Sequence, residues 1–324
     1  MMAGQGTALV GDIGATNARF GLVSDTGAIL DSGTFDVADF AEIGLAIEAY
    51  FAGLSGLSKP TRGALAIAAA ITGDEIRMTN HPWHFSVEAL RRRLGLAQLL
   101  VINDFTAVAL ALPRLTAADR LAVGGSDTVE GQPIGVLGPG SGLGVSGLVR
   151  VPGSALAQWV ALTGEGGHMT MAASSEREEG VLRLMRRRFD HVSAERVLSG
   201  PGLVNLYNAL AELDRVPAAQ YTAAQVTDPQ LGAQDRHCAE ATAMFCAMLG
   251  TVAGDLALTL GARGGVYIAG GIVPRLGARF GASGFRARFE KKGRLSPYLA
   301  AIPTWVITHK LPAFLGCAAA LEQA

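Results

Sequence analysis

The sequence predicts two α/β domains built on one repeated plan, and three observations predict it. The chain has 324 residues, too many for one small core and suited to two domains of ordinary size. Its first half reads strand, strand, strand, helix, strand, helix, strand, helix. Its second half repeats much of that order, and each half opens with a strand, a glycine-rich turn and another strand.

Each element follows from local pattern. Residues 7–11 form an apolar run that ends at Asp12. Residues 18–24 and 28–35 form two more runs, joined by the turn Ser24-Asp25-Thr26-Gly27. Within residues 40–54, Ile43, Ile47, Tyr50, Phe51 and Leu54 recur at helical spacing. A strand over residues 63–71 precedes a helix over 86–94, with Ser86 as its cap and Glu88 and Ala89 in its first turn. A strand over 99–102 leads into a helix that begins near Thr106 and stops at Pro113. In the second half, residues 134–138, 142–151 and 157–162 read as strands and 176–189, 201–213 and 238–260 as helices. Strands over 265–269 and 304–308 and a helix from 313 to the end complete it. Two such units predict ribonuclease-H-like domains, the actin- or hexokinase-like arrangement, flanking a cleft. An α/β sheet binds ligands at the carboxyl ends of its strands, so both glycine-rich turns are expected to face that cleft.

Composition excludes several classes. About half of the residues are apolar and the formal net charge is -1, so no global field favours nucleic acid or an anionic membrane. The basic run Arg183, Arg186, Arg187 and Arg188 shares its helix with Glu176, Glu178 and Glu179 and reads as a solvated face. Nothing reads as a signal peptide or a membrane span; the longest apolar run, residues 64–71, is strand-sized. Cys238, Cys246 and Cys317 match no metal or redox spacing and read as core fillers in a reducing cytosol.

The first turn, Gly11-Asp12-Ile13-Gly14-Ala15-Thr16, and the second, Gly138-Pro139-Gly140-Ser141-Gly142, hold the residues of a phosphate cradle. Glycines let backbone N–H groups approach phosphate oxygens, and Thr16 and Ser141 add hydroxyls. Asp12, at a strand end, is a candidate to orient Mg²⁺, directly or through water. Two ordinary tight turns are the other reading, and their equivalent places in the two halves argue against it. No G-x-x-x-x-G-K-[ST] occurs, which excludes a P-loop. One G-x-G-x-x-G, at Gly142, Gly144 and Gly147, lies inside a strand-like run and reads as chance. A third element, Ala269-Gly270-Gly271-Ile272, follows a strand and precedes a short helix with Arg275; close backbone approach there suits a flat adenine or a ribose.

Asn103 and Asp104 stand where a buried strand ends. A sugar hydroxyl attacking a γ-phosphoryl group must lose its proton, and a carboxylate within hydrogen-bond reach accepts it, which makes Asp104 the candidate base. The competing role for Asp104 is to cap the following helix. Glu165 and His168 project from the loop Gly164-Glu165-Gly166-Gly167-His168, and Glu195 lies near a helix start. Vicinal sugar hydroxyls donate to carboxylates and accept from imidazole or amide, so Asn103, Asp104, Glu165, His168 and Glu195 together satisfy a hexose. Singly, His168 also reads as a structural histidine and Glu195 as an exposed charge. A glycosidase pair of carboxylates is a lower-ranked alternative, since it leaves both phosphate turns unused.

These residues resemble the bacterial glucokinase family, in the branch without a zinc-binding cysteine cluster, nearly end to end. The resemblance rests on residues 9–20, on Met78-Thr79-Asn80-His81-Pro82-Trp83, and on residues 102–113, 138–145, 164–168, 191–207 and 264–276, with Gly284-Phe285-Arg286 and Leu315-Gly316 near the end. It implies transfer of the ATP γ-phosphoryl group to the 6-hydroxyl of glucose with Mg²⁺, Asp104 as base, and sugar contacts from Asn103, Asp104, Glu165, His168 and Glu195. It adds Asn80 as a further sugar candidate, places the ATP loop on residues 11–16, and implies a cytosolic homodimer. It also implies a smaller domain of residues 1–113 completed by a final helix, 310–324, and a larger one of 114–309. The chain departs from the family at Ala15, where Gly is usual, and at Pro139 and Ser141, where Ala and Thr are common. The alternatives carried forward are a kinase for another hexose and a catalytically weakened, sugar-binding regulatory protein.

Overall fold

A computed structural model of the chain describes residues 7–24, 26–78, 81–151 and 158–324. It separates into two compact α/β units: the described residues of Met1–Thr116, Val151–Thr163 and His309–Ala324, and those of Ala117–Arg150 with Gly164–Thr308.

The strands are β1 (Thr7–Ile13), β2 (Asn17–Ser24), β3 (Ile29–Asp36), β4 (Arg62–Ile67), β5 (Glu75–Arg77), β6 (His84–Ser86), β7 (Gln98–Asn103), β8 (Arg120–Gly124), β9 (Ile134–Pro139), β10 (Leu143–Arg150), β11 (Trp159–Leu162), β12 (Val266–Ile268) and β13 (Thr304–Ile307). In the first unit they run in the order β3-β2-β1-β4-β7. The first three are antiparallel, while β1, β4 and β7 are parallel.

Alternation along β1 divides the first unit's core. Leu9 and Ile13 face Ile43, Ile47 and Tyr50 of helix Ile43–Gly53 and Leu90 and Leu94 of helix Val87–Leu94. Ala8 and Val10, with Ala64 and Ala66 of β4, face Ala313, Phe314, Cys317 and Leu321 of helix Pro312–Gln323. Small side chains on that face let the last helix and helix Asp104–Ala111 lie close to the sheet and to each other. Each large side chain buried on either face contributes roughly 1.5–3 kcal/mol. Ser86 caps its helix as expected, accepting from Ala89 N–H at 3.0 Å, and Gly95 closes the helix in the left-handed region.

In the second unit β10, β9, β12, β13 and β8 lie side by side in that order, with β9, β12 and β13 parallel. Their apolar face packs on helices Glu176–Met185, Gly200–Leu213 and Arg236–Leu260. The last of these has 25 residues and is long and apolar enough to cross a bilayer. Its buried residues Ala241, Phe245, Leu249 and Ala253 belong to this unit's core.

Several boundaries differ from the sequence expectation. The strand expected over residues 63–71 stops at Ile67, level with Ile13 of β1, because no partner strand continues beside it. The helix expected near Thr106 begins at Asp104, since Asn103 supplies its cap. The helix expected to reach residue 189 ends at Met185. The hairpin of β5 and β6, the short edge strand β8 and several short helices in residues 223–301 carry too little periodicity to be read from sequence.

Candidate active site

Register brings the first unit's candidates to one edge. Ile13 of β1 pairs with Ile67 of β4, and Ile67 with Asn103 of β7. The three parallel strands thus end level, and the turn after β1 and the helix after β7 leave the same carboxyl edge, two strand spacings or roughly 10 Å apart.

Asn103 is the N-cap of helix Asp104–Ala111, accepting at its side-chain oxygen from Phe105 N–H at 2.9 Å and Thr106 N–H at 3.1 Å. Its amide nitrogen donates to Ala69 carbonyl at 3.3 Å and to Asp104 Oδ1 at 3.0 Å. Capping therefore falls chiefly to Asn103. Asp104, the first helical residue, has Oδ1 fixed by that amide and by Phe105 N–H at 2.9 Å. Both residues are half-buried.

The two glycine-rich turns share one hydrogen-bond plan. In the first, Gly14 N–H donates to Asn17 carbonyl at 3.0 Å; in the second, Gly140 N–H donates to Gly142 carbonyl at 2.8 Å. Among the described residues, the next two amides of each turn, Ala15 and Thr16 and then Ser141 and Gly142, donate no hydrogen bond. Each turn thus presents two adjacent unspent N–H donors, which suits an anion. Gly11 and Ile13 lie within β1, where the Ile13 side chain is fully buried and a Cβ on Gly11 would meet Leu65 at 2.6 Å. Their side-chain positions therefore serve packing, and only backbone atoms remain for a ligand.

Asp12 faces the side of the sheet that holds Cys317, whose thiol donates to Gly11 carbonyl at 3.6 Å. Burial raises the Asp12 carboxyl above its ordinary range, and the Arg19 guanidinium at 3.4 Å opposes that shift. Such a carboxylate gains from a nearby cation. Among the described residues no cluster of three or more His, Cys, Asp or Glu could hold a metal. One carboxylate together with substrate phosphates and water is nevertheless a usual Mg²⁺ environment, so Asp12 fits.

In the second unit, Leu137 pairs with Ile268, which sets the second turn beside the Gly270-Gly271 element. Gly270 has φ +79°, and a Cβ there would meet Pro139 carbonyl oxygen at 2.3 Å, so both conformation and contact require glycine. Around Gly140 and Gly271 the corresponding space is open to 4 Å. Glu165 and His168 are exposed on the loop beside β10, and Glu195 is half-buried with Oε2 accepting from Leu143 N–H at 2.9 Å. Asn80 lies outside the described residues.

Sequence reasoning missed a cavity of about 440 Å³ in this unit. Val226, Thr227, Thr242, Leu276, Arg279 and Ser283 contribute to its wall. Leu276 ends the short helix that starts after Gly271. Ala223, which begins the helix bearing Val226, lies 3.8 Å from the Cβ position of Gly200, whose N–H donates to Gly140 carbonyl. The wall is drawn from scattered helices and left no motif.

The sequence model of glucokinase matches residues 9–324. The chain belongs to the glucokinase family. A glucokinase of Aromatoleum aromaticum is 51% identical over 317 residues, covering 98% of this chain and 95% of the relative. A glucokinase of Paramagnetospirillum magneticum is 52% identical over 310 residues, covering 96% of each. The crystal structure of a glucokinase from an Antarctic psychrotroph superposes with a TM-score of 0.88 at 36% identity, over 98% of this chain and 99% of that one. The two α/β units are accordingly those of the actin- and hexokinase-like glucokinase fold. Some family motifs serve that fold: Arg286 of Gly284-Phe285-Arg286 donates to the carbonyls of Ile302 at 2.8 Å and Ala300 at 2.9 Å, and Trp83 donates from its indole to Phe40 carbonyl at 2.9 Å.

Proposed function

We infer that the chain transfers the γ-phosphoryl group of ATP to the 6-hydroxyl of glucose, with Asp104 as general base. Membership of the glucokinase family makes it an ATP-dependent sugar kinase. The observation that supports the residue assignment is the level ending of β1 and β7, by which a turn with two unspent amides and a fixed carboxylate share one sheet edge.

The chemistry follows from that placement. The 6-hydroxyl oxygen forms a bond to the γ-phosphorus as the bond to the β,γ-bridging oxygen breaks, and ADP leaves with that electron pair. Asp104 accepts the hydroxyl proton. Asn103, by donating to Asp104 Oδ1, sets the rotamer of the base. The free amides of Ala15, Thr16, Ser141 and Gly142 are the proposed phosphate donors, with the Thr16 and Ser141 hydroxyls beside them. The cavity walled by Val226, Leu276 and Arg279 is the proposed seat of the nucleotide base, supported by its apolar wall and by the helices that run to it from Gly271 and beside Gly200. Mg²⁺, held at Asp12 directly or through water, would neutralise phosphate charge. The proposed sugar contacts are Asn103, Asp104 and Asn80, with Glu165, His168 and Glu195. The proposed small domain is residues 1–113 with 310–324 and the large one 114–309. A cytoplasmic homodimer completes the proposal.

A coupled assay with glucose, Mg²⁺ and ATP, read as glucose 6-phosphate, tests it, with mannose, fructose and glucosamine alongside. Turnover on glucose alone supports the reading. Turnover only on another hexose transfers the same mechanism to that sugar. Glucose binding without turnover on any sugar would favour a sensing role.

A further inference from the structure

Glu195 is tied to the second phosphate turn. Its Oε2 accepts from Leu143 N–H at 2.9 Å, at the foot of β10 just after the turn. Five residues on, Gly200 N–H donates to Gly140 carbonyl at 2.8 Å, at the other side of the same turn. The segment between is itself rigid: Ser199 Oγ donates to Glu195 carbonyl at 2.7 Å and accepts from Gly202 N–H at 3.0 Å, capping helix Gly200–Leu213. Residues 195–200 therefore grip the turn from both sides.

The fit around that grip is close. A Cβ on Gly142 would lie 2.4 Å from Glu195 Oε2, and one on Gly167 would lie 2.0 Å from Leu143 carbonyl oxygen. Glu195 N–H donates to Gly167 carbonyl at 2.9 Å, so the loop bearing Glu165 and His168 is fastened to the same point. Among the described residues, Glu195 Oε1 accepts no hydrogen bond, while Oε2 is spent on Leu143.

We propose that Glu195 is a positioning residue for the phosphate turn as well as a sugar contact. One carboxylate oxygen fixes Leu143 N–H and so aims the Ser141 and Gly142 amides at the nucleotide phosphates. The other accepts a sugar hydroxyl. Sugar occupancy then orders the group that holds the turn, and nucleotide and sugar bind with positive coupling through one side chain. The inference rests on the reading of residues 140–142 as a phosphate turn.

Calorimetry with a non-hydrolysable ATP analogue, without and with saturating glucose, on the full chain tests it. Glu195→Gln keeps an acceptor for Leu143 N–H and removes the charge; Glu195→Ala removes both. The analogue without sugar is expected to bind Glu195→Gln within about threefold of wild type and Glu195→Ala at least about tenfold more weakly, the loss of one charge-assisted hydrogen bond. Gly142→Ala, whose methyl displaces the carboxylate, is expected to reproduce the alanine result. Glu195→Asp, one methylene short of Leu143, reads the same loss if the alanine variant does not fold. Glucose is expected to tighten analogue binding in wild type and not in Glu195→Ala. Equal sugar-free affinity in the alanine, aspartate and glutamine variants would overturn the proposal and leave the phosphate turn standing. Absence of analogue binding to the wild type would overturn the turn itself and this proposal with it.

Discussion

The Asn103 side-chain amide donates to Asp104 Oδ1 at 3.0 Å while its oxygen caps the helix that Asp104 begins. One residue thus starts the helix and aims the proposed base. Removing the carboxylate with Asp104→Ala is expected to lower turnover by about 10²–10⁴-fold, the usual range for a general base, with glucose binding still measurable by calorimetry. Near-normal turnover would remove Asp104 from the mechanism.

Asn103→Asp separates the two roles of Asn103. Aspartate keeps an oxygen for capping but cannot donate to Asp104, and it sets a second carboxyl beside the first. Adjacent carboxyls resist ionising together, so the acid limb of the pH–rate profile is expected to move to higher pH. Melting temperature should change little. An unmoved acid limb would mean that the pair does not act as a unit.

Gly316→Ala tests the packing of the last helix. Alanine usually stabilises a helix interior by about 1 kcal/mol over glycine. Here a Cβ on Gly316 would lie 1.7 Å from Ala107 carbonyl oxygen in the neighbouring helix. The backbones must separate, so the expected sign reverses to a loss of about 1–3 kcal/mol, an overpacking cost measured by urea unfolding. A more stable variant would contradict the observed approach of the helices.

Asp214 links helices Glu176–Met185, Gly200–Leu213 and Arg236–Leu260 by accepting from Arg177, Arg236 and His237. Arg177 first, then His237, holds its carboxyl well below the usual range. A depressed folded value means that the stabilisation is complete above the unfolded value of about 3.9 and is lost as pH falls through the folded one. Asp214→Asn is therefore expected to unfold more readily than wild type at neutral pH, with the difference shrinking in strong acid. Parallel stability curves for the two proteins down to low pH would count against this linkage.

All three cysteines are buried and free. Burial pushes the thiols of Cys238 and Cys246 up to about 11 and that of Cys317 to about 12. Thiolates are the reactive species, so a disulfide reagent at pH 8 is expected to label none in the native protein and three after denaturation. Rapid labelling of one native thiol would show that its site opens.

Much of the candidate site's local structure could be read in sequence because glycines and chain punctuation are local signals. The turn at Gly14-Ala15-Thr16, the cap at Ser86 and the strand end at Asn103-Asp104 each follow from a few adjacent residues. Structural roles that the same residues also carry could not be read. Asn103, expected as a sugar contact, also caps the helix start and donates to Ala69 carbonyl and Asp104. Gly11, expected in the phosphate loop, also makes room for Leu65.

The sequence by itself determined the long strands and helices, the glycine-rich turns, and which residue types are available for phosphoryl transfer. Periodicity, capping and backbone freedom act over a few residues and need no partner. Only the tertiary structure decided which of those residues meet. Strand register levelled Ile13 with Asn103, packing closed Gly316 on Ala107, and the carboxylate of Glu195 reached the amide of Leu143, 52 residues away in the chain. Contacts of that kind depend on the whole sheet and its helices being assembled, and no window of sequence contains them.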